Sequence, residues 1–201
     1  MAYLILISGA MLLITLGNFL ASDARTPLLF GTLLLDVALG VVAVVVIDAI
    51  LAAAVRALPE RWFAPAKRAF TVKEGERRLY RKLGLNSWKK YVPELGCFTG
   101  FHKDHLRDPA SSEYVGRFLL ESHYGVVGHL LGAVLGFLIL LLPFLRPWAM
   151  ALPIAIVNCV LNLLPTMILR YNTPPLLRLY RRNLAKEEKR AEQESVPVSH
   201  S

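Results

Sequence analysis

The sequence predicts an all-α membrane protein with about four transmembrane helices. Three observations predict this fold class: apolar residues come in blocks long enough to cross a bilayer, charged stretches separate the blocks, and basic residues are very unequally shared among the connections. About 20 apolar residues are needed for a helix to span roughly 30 Å of hydrocarbon. The 201 residues suffice for one such bundle with one polar insertion, so we expect a single domain.

The first two apolar blocks cover residues 3–20 and 28–57. No Lys or Arg precedes the first block, and its length exceeds a typical signal-peptide core, so we expect a retained helix rather than a cleaved leader. The second block would form a helix of about 45 Å, which should tilt or protrude from the bilayer. Two acids interrupt it, Asp36 and Asp48. Either both lie near the headgroups, one at each end, or they have a function inside the membrane, where carboxylates are costly.

Residues 58–117 differ from both blocks. Fourteen Lys and Arg fall between Arg56 and Arg117, and aromatic residues alternate with them. This segment is too apolar for a disordered tail and too charged to span, so it predicts amphipathic helices and loops on the cytoplasmic membrane surface. A short helix from Glu76 to Lys82 should end at Gly84.

Two further apolar blocks, residues 118–145 and 148–169, are separated by a tight turn at Arg146-Pro147. A basic tail, residues 170–201, follows them. Its mixed Glu, Lys and Arg composition predicts a solvated helix followed by a disordered end.

The distribution of positive charge predicts the orientation. The first and third connections carry one Arg each, Arg25 and Arg146, whereas the middle segment together with Arg56 at its border carries fourteen Lys and Arg and the tail seven. The positive-inside rule therefore places both termini and the middle segment in the cytoplasm of a bacterial cell, with the helices in its inner membrane. The net charge of +8 is explained by anionic headgroups, so we expect membrane lipids and no nucleic acid as partners.

The two cysteines, Cys97 and Cys159, lie in the basic segment and in an apolar block, so a disulfide between them is not expected. No metal-type cysteine spacing occurs, and we predict neither a metal site nor a cofactor.

Polar residues mark the entry of the third block. Glu121, Gly125 and His129 recur at every fourth position and so share one helix face, on which Gly125 would leave room for a substrate. Eight residues of helix rise about 12 Å, so Glu121 and His129 would be two ends of a site, each needing a partner from another helix. His123 lies off this face and is interpreted as an interfacial side chain.

His129 lies deeper in the block, where a neutral imidazole needs a hydrogen-bond partner. One interpretation is a structural hydrogen bond between helices. The other is a general base, because an imidazole titrates near neutrality and can take a proton from an attacking hydroxyl.

The fourth block ends in Arg170-Tyr171-Asn172, a cation, a hydroxyl and an amide where a lipid headgroup or a sugar would lie. An anchoring role at the interface is the alternative for such Arg and Tyr side chains.

The order of these motifs over residues 70–180 resembles the glycosyl-4,4'-diaponeurosporenoate acyltransferase family, integral membrane enzymes of bacterial carotenoid glycolipid synthesis. That family has a Glu ahead of an aromatic residue, a Trp-Lys pair, a Glu-Thr with a His eight residues after the Glu, and a terminal Gln-Arg-Tyr-Asn-Arg-Pro-Arg run. The matching residues here are Glu74 with Tyr80, Trp88-Lys89, Glu121-Ser122 with His129, and Arg170-Tyr171-Asn172 with Pro174. This chain departs from the pattern at Val126, where the family has a second Glu, and at Leu169, Thr173 and Pro175.

The resemblance implies an O-acyltransferase that moves a fatty acyl group from acyl-CoA, acyl carrier protein or phospholipid to a hydroxyl, such as that of a sugar, on a lipid-linked acceptor. It implies that His129 is the general base and that Glu121 orients the sugar or the imidazole. The implied substrate-binding residues are Glu74, Trp88, Lys89, Arg170, Tyr171 and Asn172.

Two other functions are compatible with the sequence. A small membrane methyltransferase acting on lipid or prenyl substrates would have the same size and helix number. A non-enzymatic accessory or lipid-binding subunit would use the basic segment only to dock on anionic membrane.

Overall fold

The computed structural model describes residues 2–23, 25–92 and 106–195, and every regular element in these ranges is helical. The all-α prediction is therefore confirmed for this part of the chain, whereas Cys97 lies outside the described residues. The α-helices are α1 (Ala2–Leu20), α2 (Pro27–Arg56), α3 (Glu74–Lys82), α4 (Leu85–Trp88), α5 (Ser112–Leu135) and α6 (Leu152–Ser195).

Three helical segments of the described chain are long and apolar enough to cross a membrane: Pro27–Arg56, Ser112–Leu141 and Pro147–Glu194. Together they make this a membrane protein. The apolar part of α1, Leu4–Leu20, is shorter than these three, so a fourth span stays a prediction. Large apolar side chains on α1 and α2 are exposed on the outside of the bundle, among them Ile5, Leu13 and Leu28. Such a surface is suited to lipid rather than to water.

The helix starts follow from local capping chemistry. The Thr26 hydroxyl accepts from the Leu29 amide (3.2 Å) and Pro27 occupies the first turn of α2. The Ser111 hydroxyl accepts from the Tyr114 amide (3.1 Å) and begins α5 six residues before the apolar block predicted from the sequence. Gly84, with φ of 69°, follows α3 in the left-handed conformation, as its predicted role as a helix stop requires.

The two short connections meet at one end of the bundle. The Asn18 side chain, at the end of α1, donates to the Ala149 carbonyl (2.8 Å), in the wide helical turn Pro147–Ala151 that precedes α6. The long middle segment contacts the opposite end, where α2 ends and α5 begins. The fold therefore separates the two single-Arg connections from the strongly basic regions, as a positive-inside orientation requires.

The last helix is much longer than the predicted apolar block. It runs from Leu152 through Pro165, Pro174 and Pro175 to Ser195, which is 44 residues or about 66 Å. Its far half is docked rather than only solvated: Glu187 accepts hydrogen bonds from the amide and the hydroxyl of Ser112 at the start of α5. The tail predicted from residue 170 onward thus begins as a continuation of the membrane helix.

Two apolar clusters fill the bundle. One, near the short connections, joins α2, the turn after α5 and α6 through residues such as Val37, Ile139 and Ile154. The other lies near the basic end and is rich in aromatic residues, with Phe63, Phe70 and Tyr124 packed together. The second cluster fixes part of the middle segment against α5, and the candidate site is built around it.

Candidate active site

Polar groups of the bundle form two layers. Arg56, Glu121 and Arg170 lie in the first layer, near the basic end of the bundle, where α2 ends, α5 enters and the middle of α6 passes. Asp48, His129 and Asn162 each lie eight residues from one of these along the same helix, which is about 12 Å farther into the bundle. The deeper layer is joined across three helices by hydrogen bonds. In the first layer Arg56 pairs with Glu121, whereas Arg170 pairs with Glu76 of α3.

The first contact in the outer layer fixes α3 to α6. The Arg170 guanidinium donates from Nε to Glu76 Oε1 (2.5 Å) and from Nη2 to Glu76 Oε2 (2.8 Å), a bidentate ion pair. The Tyr80 hydroxyl donates to the same carboxylate (2.5 Å). The hydrogen bond from Arg170 lowers the pKa of Glu76, and burial together with the bond to Glu76 raises the pKa of Tyr80 to about 12.

Glu121 is held between two arginines. Its carboxylate lies 2.8 Å from Arg56 Nη2 on α2 and 3.2 Å from Arg117 Nη2 on its own helix. Arg117 also donates to Glu60 in the middle segment (2.9 Å). Glu121 is only 10% exposed at its side chain, so this carboxylate needs the two cations that surround it.

The structure corrects the interpretation of His123 as interfacial. Its side chain is 0% exposed and stacks on the Phe70 ring, with centroids 3.9 Å apart. Its Nδ1 donates to the Phe63 carbonyl (2.8 Å), because a carbonyl can only accept. Among the described residues Nε2 has no hydrogen-bond partner. Val126, at the position where the family pattern has a second Glu, is buried in the same aromatic cluster.

His129 is part of the deeper layer. Its Nδ1 lies 2.9 Å from Asn162 Oδ1, and Asn162 Nδ2 donates to Asp48 Oδ2, also at 2.9 Å. Asn162 Nδ2 contacts the carbonyl and the side-chain oxygen of Asn158 as well, both at 3.1 Å. Three helices thus share one hydrogen-bonded network in the apolar bundle. Its buried members are Asn158 and Asn162, whereas His129 is half-buried.

The glycine between Glu121 and His129 has a different role from the one predicted. A Cβ at Gly125 would lie 2.9 Å from Leu169 Cδ1, so α6 already occupies the space expected for a substrate. Gly125 permits close packing of α5 against α6, and the site must open elsewhere.

Two openings flank the site. A cleft of about 430 Å³ lies at the basic end, open to solvent, between the turn at residues 60–65, the start of α5 and Tyr180 of α6. A narrow groove with a cavity volume of about 50 Å³ lies between α1, α2 and α6, with ten apolar side chains and one amide, Asn158, along its walls. Asn158, which lines this groove, accepts a hydrogen bond from Asn162.

The remaining residues of the predicted site lie at the basic end. Tyr171 lies under the Arg77 guanidinium of α3, 5.4 Å from ring centroid to Cζ. Glu74 is half exposed and pairs with Arg81 (2.7 Å) and Arg77 (3.5 Å) on its own helix, away from His129. The Trp88 indole donates to the Leu83 carbonyl (3.0 Å). Lys89 and Asn172 are half-buried at the same end of the bundle.

Sequence reasoning missed Glu76 and the roles of Asn158 and Asn162. Spacing offered a signal for each: Glu76 and Tyr80 are four residues apart in α3, and the two asparagines are four apart in an apolar helix. No spacing indicated that His123 would be enclosed. Among the residues that the structure describes, no group of three or more His, Cys, Asp or Glu could hold a metal ion.

Comparison with protein-family models places most of this chain in a known family. The model of the glycosyl-4,4'-diaponeurosporenoate acyltransferase family matches residues 59–182, well over half of the chain. The match includes α3, α4, α5 and α6 as far as Arg182, and it excludes α1 and α2. No curated protein and no solved structure matches the chain.

Proposed function

Since the chain belongs to the glycosyl-4,4'-diaponeurosporenoate acyltransferase family, we propose that it moves a fatty acyl group onto a hydroxyl of a lipid-linked acceptor, with His129 as general base. The family is one of acyltransferases in carotenoid glycolipid synthesis, so this chain is an enzyme of that class. The methyltransferase and accessory-subunit alternatives are set aside on this ground. The base, the sugar hydroxyl and the cytoplasmic orientation are our proposals.

The observation that carries the proposal is the hydrogen bond between His129 Nδ1 and Asn162 Oδ1. Asn162 Nδ2 faces Asp48 and Asn158, so Oδ1 faces the imidazole and Nδ1 must carry the proton. The lone pair of His129 is then on Nε2, which makes no hydrogen bond within the described part of the chain. An imidazole held in this tautomer is prepared to accept a proton from a hydroxyl.

The reaction balances without a covalent enzyme intermediate. The acceptor hydroxyl oxygen attacks the acyl carbonyl carbon while its proton passes to His129 Nε2. The tetrahedral intermediate collapses, the new ester C–O bond remains, and the bond from the acyl carbon to the donor's leaving group breaks. His129 returns its proton to that leaving group. Burial of the charges in the bundle strengthens each electrostatic contact along this path.

His129 is favoured over His123, although both imidazoles have Nδ1 bonded to an oxygen. His123 is fully buried and stacked on the Phe70 ring, so a substrate reaches it only if the aromatic cluster opens. His129 is half-buried, and its hydrogen-bond partner Asn162 is bonded to Asn158, which lines the apolar groove.

The two polar layers suggest how substrates are placed. We assign headgroup binding to the cytoplasmic end, where Arg170, Tyr171, Asn172, Trp88 and Lys89 lie. Glu121 orients this end through its ion pairs with α2 and α5. Glu74, paired with two arginines at the surface, contributes at most to the approach of an anionic donor. The hydrocarbon chain of one substrate is proposed to lie in the bilayer along the apolar surface of the groove between α1, α2 and α6.

The depth of His129 in the bundle indicates which kind of acyl donor can place its carbonyl there. The base lies about 12 Å inside the layer that contains Glu121, so a reacting carbonyl must extend inward from the headgroup contacts. Acyl-CoA and acyl carrier protein both carry the acyl group on a long phosphopantetheine arm, which can reach inward. We therefore propose a thioester donor in preference to a phospholipid.

The test uses cells that make glycosyl-4,4'-diaponeurosporenoate and express the full chain, with mass spectrometry of total lipids. His129→Gln should lower the fatty ester of the glycoside by roughly 10²- to 10⁴-fold, the range for loss of a general base. His123→Gln is the matched control, and at equal amounts of folded protein it should retain most of the product. Unchanged ester with His129→Gln would show that the base is elsewhere.

A further inference from the structure

Asp48 lies in α2, outside the residues that the family model matches. We infer that Asp48 is a positioning residue for His129, acting through the side chain of Asn162. This inference rests on the proposed function, because it gives Asp48 a role only if His129 is the base.

The geometry connects the two side chains through one amide. Asp48 Oδ2 accepts from Asn162 Nδ2 (2.9 Å), and Asn162 Oδ1 accepts from His129 Nδ1 (2.9 Å). The carboxylate favours the amide orientation that presents oxygen to the imidazole, because the reverse orientation would set two oxygens against each other. Asn158 supports the same orientation from within α6. Asp48 thus helps to keep the lone pair of His129 on Nε2.

The backbone of α5 is adapted to this carboxylate. A Cβ at position 132 would lie 2.6 Å from Asp48 Oδ1 and 3.0 Å from Asn162 Oδ1, so Gly132 is required for both side chains to fit. Asp48 Oδ1 is itself buried and has no hydrogen-bond partner among the described residues. A carboxylate that is only half satisfied in an apolar bundle destabilises the fold, which suggests a role beyond packing.

The charge of Asp48 has a further effect during the reaction. When the acceptor proton moves to His129 Nε2, the imidazole becomes a cation that still donates from Nδ1 to Asn162. The carboxylate behind the amide stabilises this cation, because Coulomb interactions are weakly screened in an apolar surrounding. Asp48 does not touch the reacting atoms in this scheme.

The first experiment removes the charge and keeps the shape. Purified full-length protein in lipid nanodiscs is assayed with glycosyl-4,4'-diaponeurosporenoate as acceptor and a radiolabelled fatty acyl-CoA as donor. Asp48→Asn should lower kcat by roughly tenfold to a hundredfold, the range for one charge-assisted hydrogen bond, with KM unchanged within about twofold. Asp48→Glu should recover part of the loss. Asp36→Asn is the matched control, since it changes the other acid of α2, which makes no hydrogen bond in the described part of the chain.

Wild-type kcat in Asp48→Asn, or a loss no larger than in Asp36→Asn, overturns the inference. If Asp48→Asn gives such a result but His129→Gln is inactive in the same assay, only this inference fails and the proposed function stands. If His129→Gln is active, the proposed function and this inference fail together.

A second measurement does not depend on whether a variant of Asp48 folds. The ¹⁵N NMR spectrum of histidine-labelled protein in bilayers, assigned by comparison with His129→Gln, reports which ring nitrogen of His129 is protonated. We expect protonated Nδ1 and unprotonated Nε2, and we expect Asn162→Leu to abolish this preference. A proton on Nε2 in the unmodified protein would overturn the inference.

Discussion

The Glu76–Arg170 ion pair should decide whether α3 stays docked on α6. Glu76→Gln removes the charge that accepts two hydrogen bonds from Arg170 and one from Tyr80. The local opening of α3 is the quantity to measure, because the pair joins this short helix to the bundle rather than two membrane helices to each other.

The magnitude follows from the exposure of the pair. The side chains of Arg170 and Glu76 are 20% and 24% exposed, so the pair is neither fully exposed nor fully buried. An exposed ion pair contributes under about 1 kcal/mol, whereas removal of one partner from a buried ion pair costs about 3–5 kcal/mol. We expect a loss of about 2 kcal/mol for Glu76→Gln. At 1.4 kcal/mol per factor of ten, the population of opened α3 should rise about 30-fold.

Limited proteolysis measures this population. Trypsin can cut after four residues of α3, Arg77, Arg78, Arg81 and Lys82, and at low protease the cleavage rate follows the equilibrium fraction of open helix. Glu74→Gln is the matched control: it also removes an acid of α3 that pairs with arginine, but its side chain is 51% exposed, so the rate should rise less than about fivefold. Equal rates for Glu76→Gln and the unmodified protein would refute the reasoning.

The same contact predicts a pH dependence. The folded-state pKa of Glu76 is lowered from 4.5, so its contribution is present above that value and is lost as the pH falls through the folded pKa. The pKa of Tyr80 is raised from 10.0 to about 12, so its contribution is present below 10.0 and is lost as the pH rises through about 12. Protection of α3, measured with hydrogen exchange corrected for the intrinsic rate, should therefore be flat between these limits. A step near neutral pH would contradict this assignment.

Three further predictions concern other parts of the bundle. Gly132→Ala should destabilise the protein by about 1–3 kcal/mol and reduce ester formation, because the new Cβ would lie 2.6 Å from Asp48 Oδ1. Gly128→Ala, with nothing within 4 Å of the new Cβ, should leave thermal unfolding nearly unchanged, and equal effects of both would contradict the packing argument. Glu187→Gln should speed tryptic cleavage in the last turns of α6, because it weakens the bonds to Ser112; an unchanged rate would show that the tail is held by other contacts. A reporter that is active only in the cytoplasm should be active when fused to either terminus, and a reporter that is active only in the periplasm should not. Activity of the periplasmic reporter would contradict the predicted orientation.

The sequence was sufficient to predict the helical membrane class, the family and the separation of charge between the two ends. These properties depend on block length, motif order and residue counts, all of which can be read along one chain. The helix stop at Gly84 could also be predicted, because the backbone of glycine adopts positive φ easily.

The extent of α6 could not be predicted from apolar blocks. Residues 170–195 are basic and include Pro174 and Pro175, which suggested an end to the helix, but the structure continues it to Ser195. Contacts with the start of α5, such as Glu187 with Ser112, stabilise this extension, and they join residues 75 positions apart in the chain.

The assignment of partners was likewise decided by tertiary structure. Glu121 and His129 were each predicted to need a group from another helix, but the sequence could not identify Arg56 or Asn162 as those groups. Arg170 was expected to meet substrate, and the structure also pairs it with Glu76 of the middle segment. Spacing along a helix determines which residues share a face, whereas the rotation and depth of neighbouring helices determine which faces meet.

The sequence by itself thus determined which residues could lie in the membrane and which polar groups would destabilise the fold there unless they had partners. Only the tertiary structure showed that His123 stacks on Phe70, that His129 is hydrogen-bonded to Asn162, and that Asn162 donates in turn to Asp48. The physical reason is that burial in an apolar block penalises a polar side chain wherever it lies along the helix, whereas the partner that offsets this penalty comes from the neighbouring helix that packing brings within 3 Å.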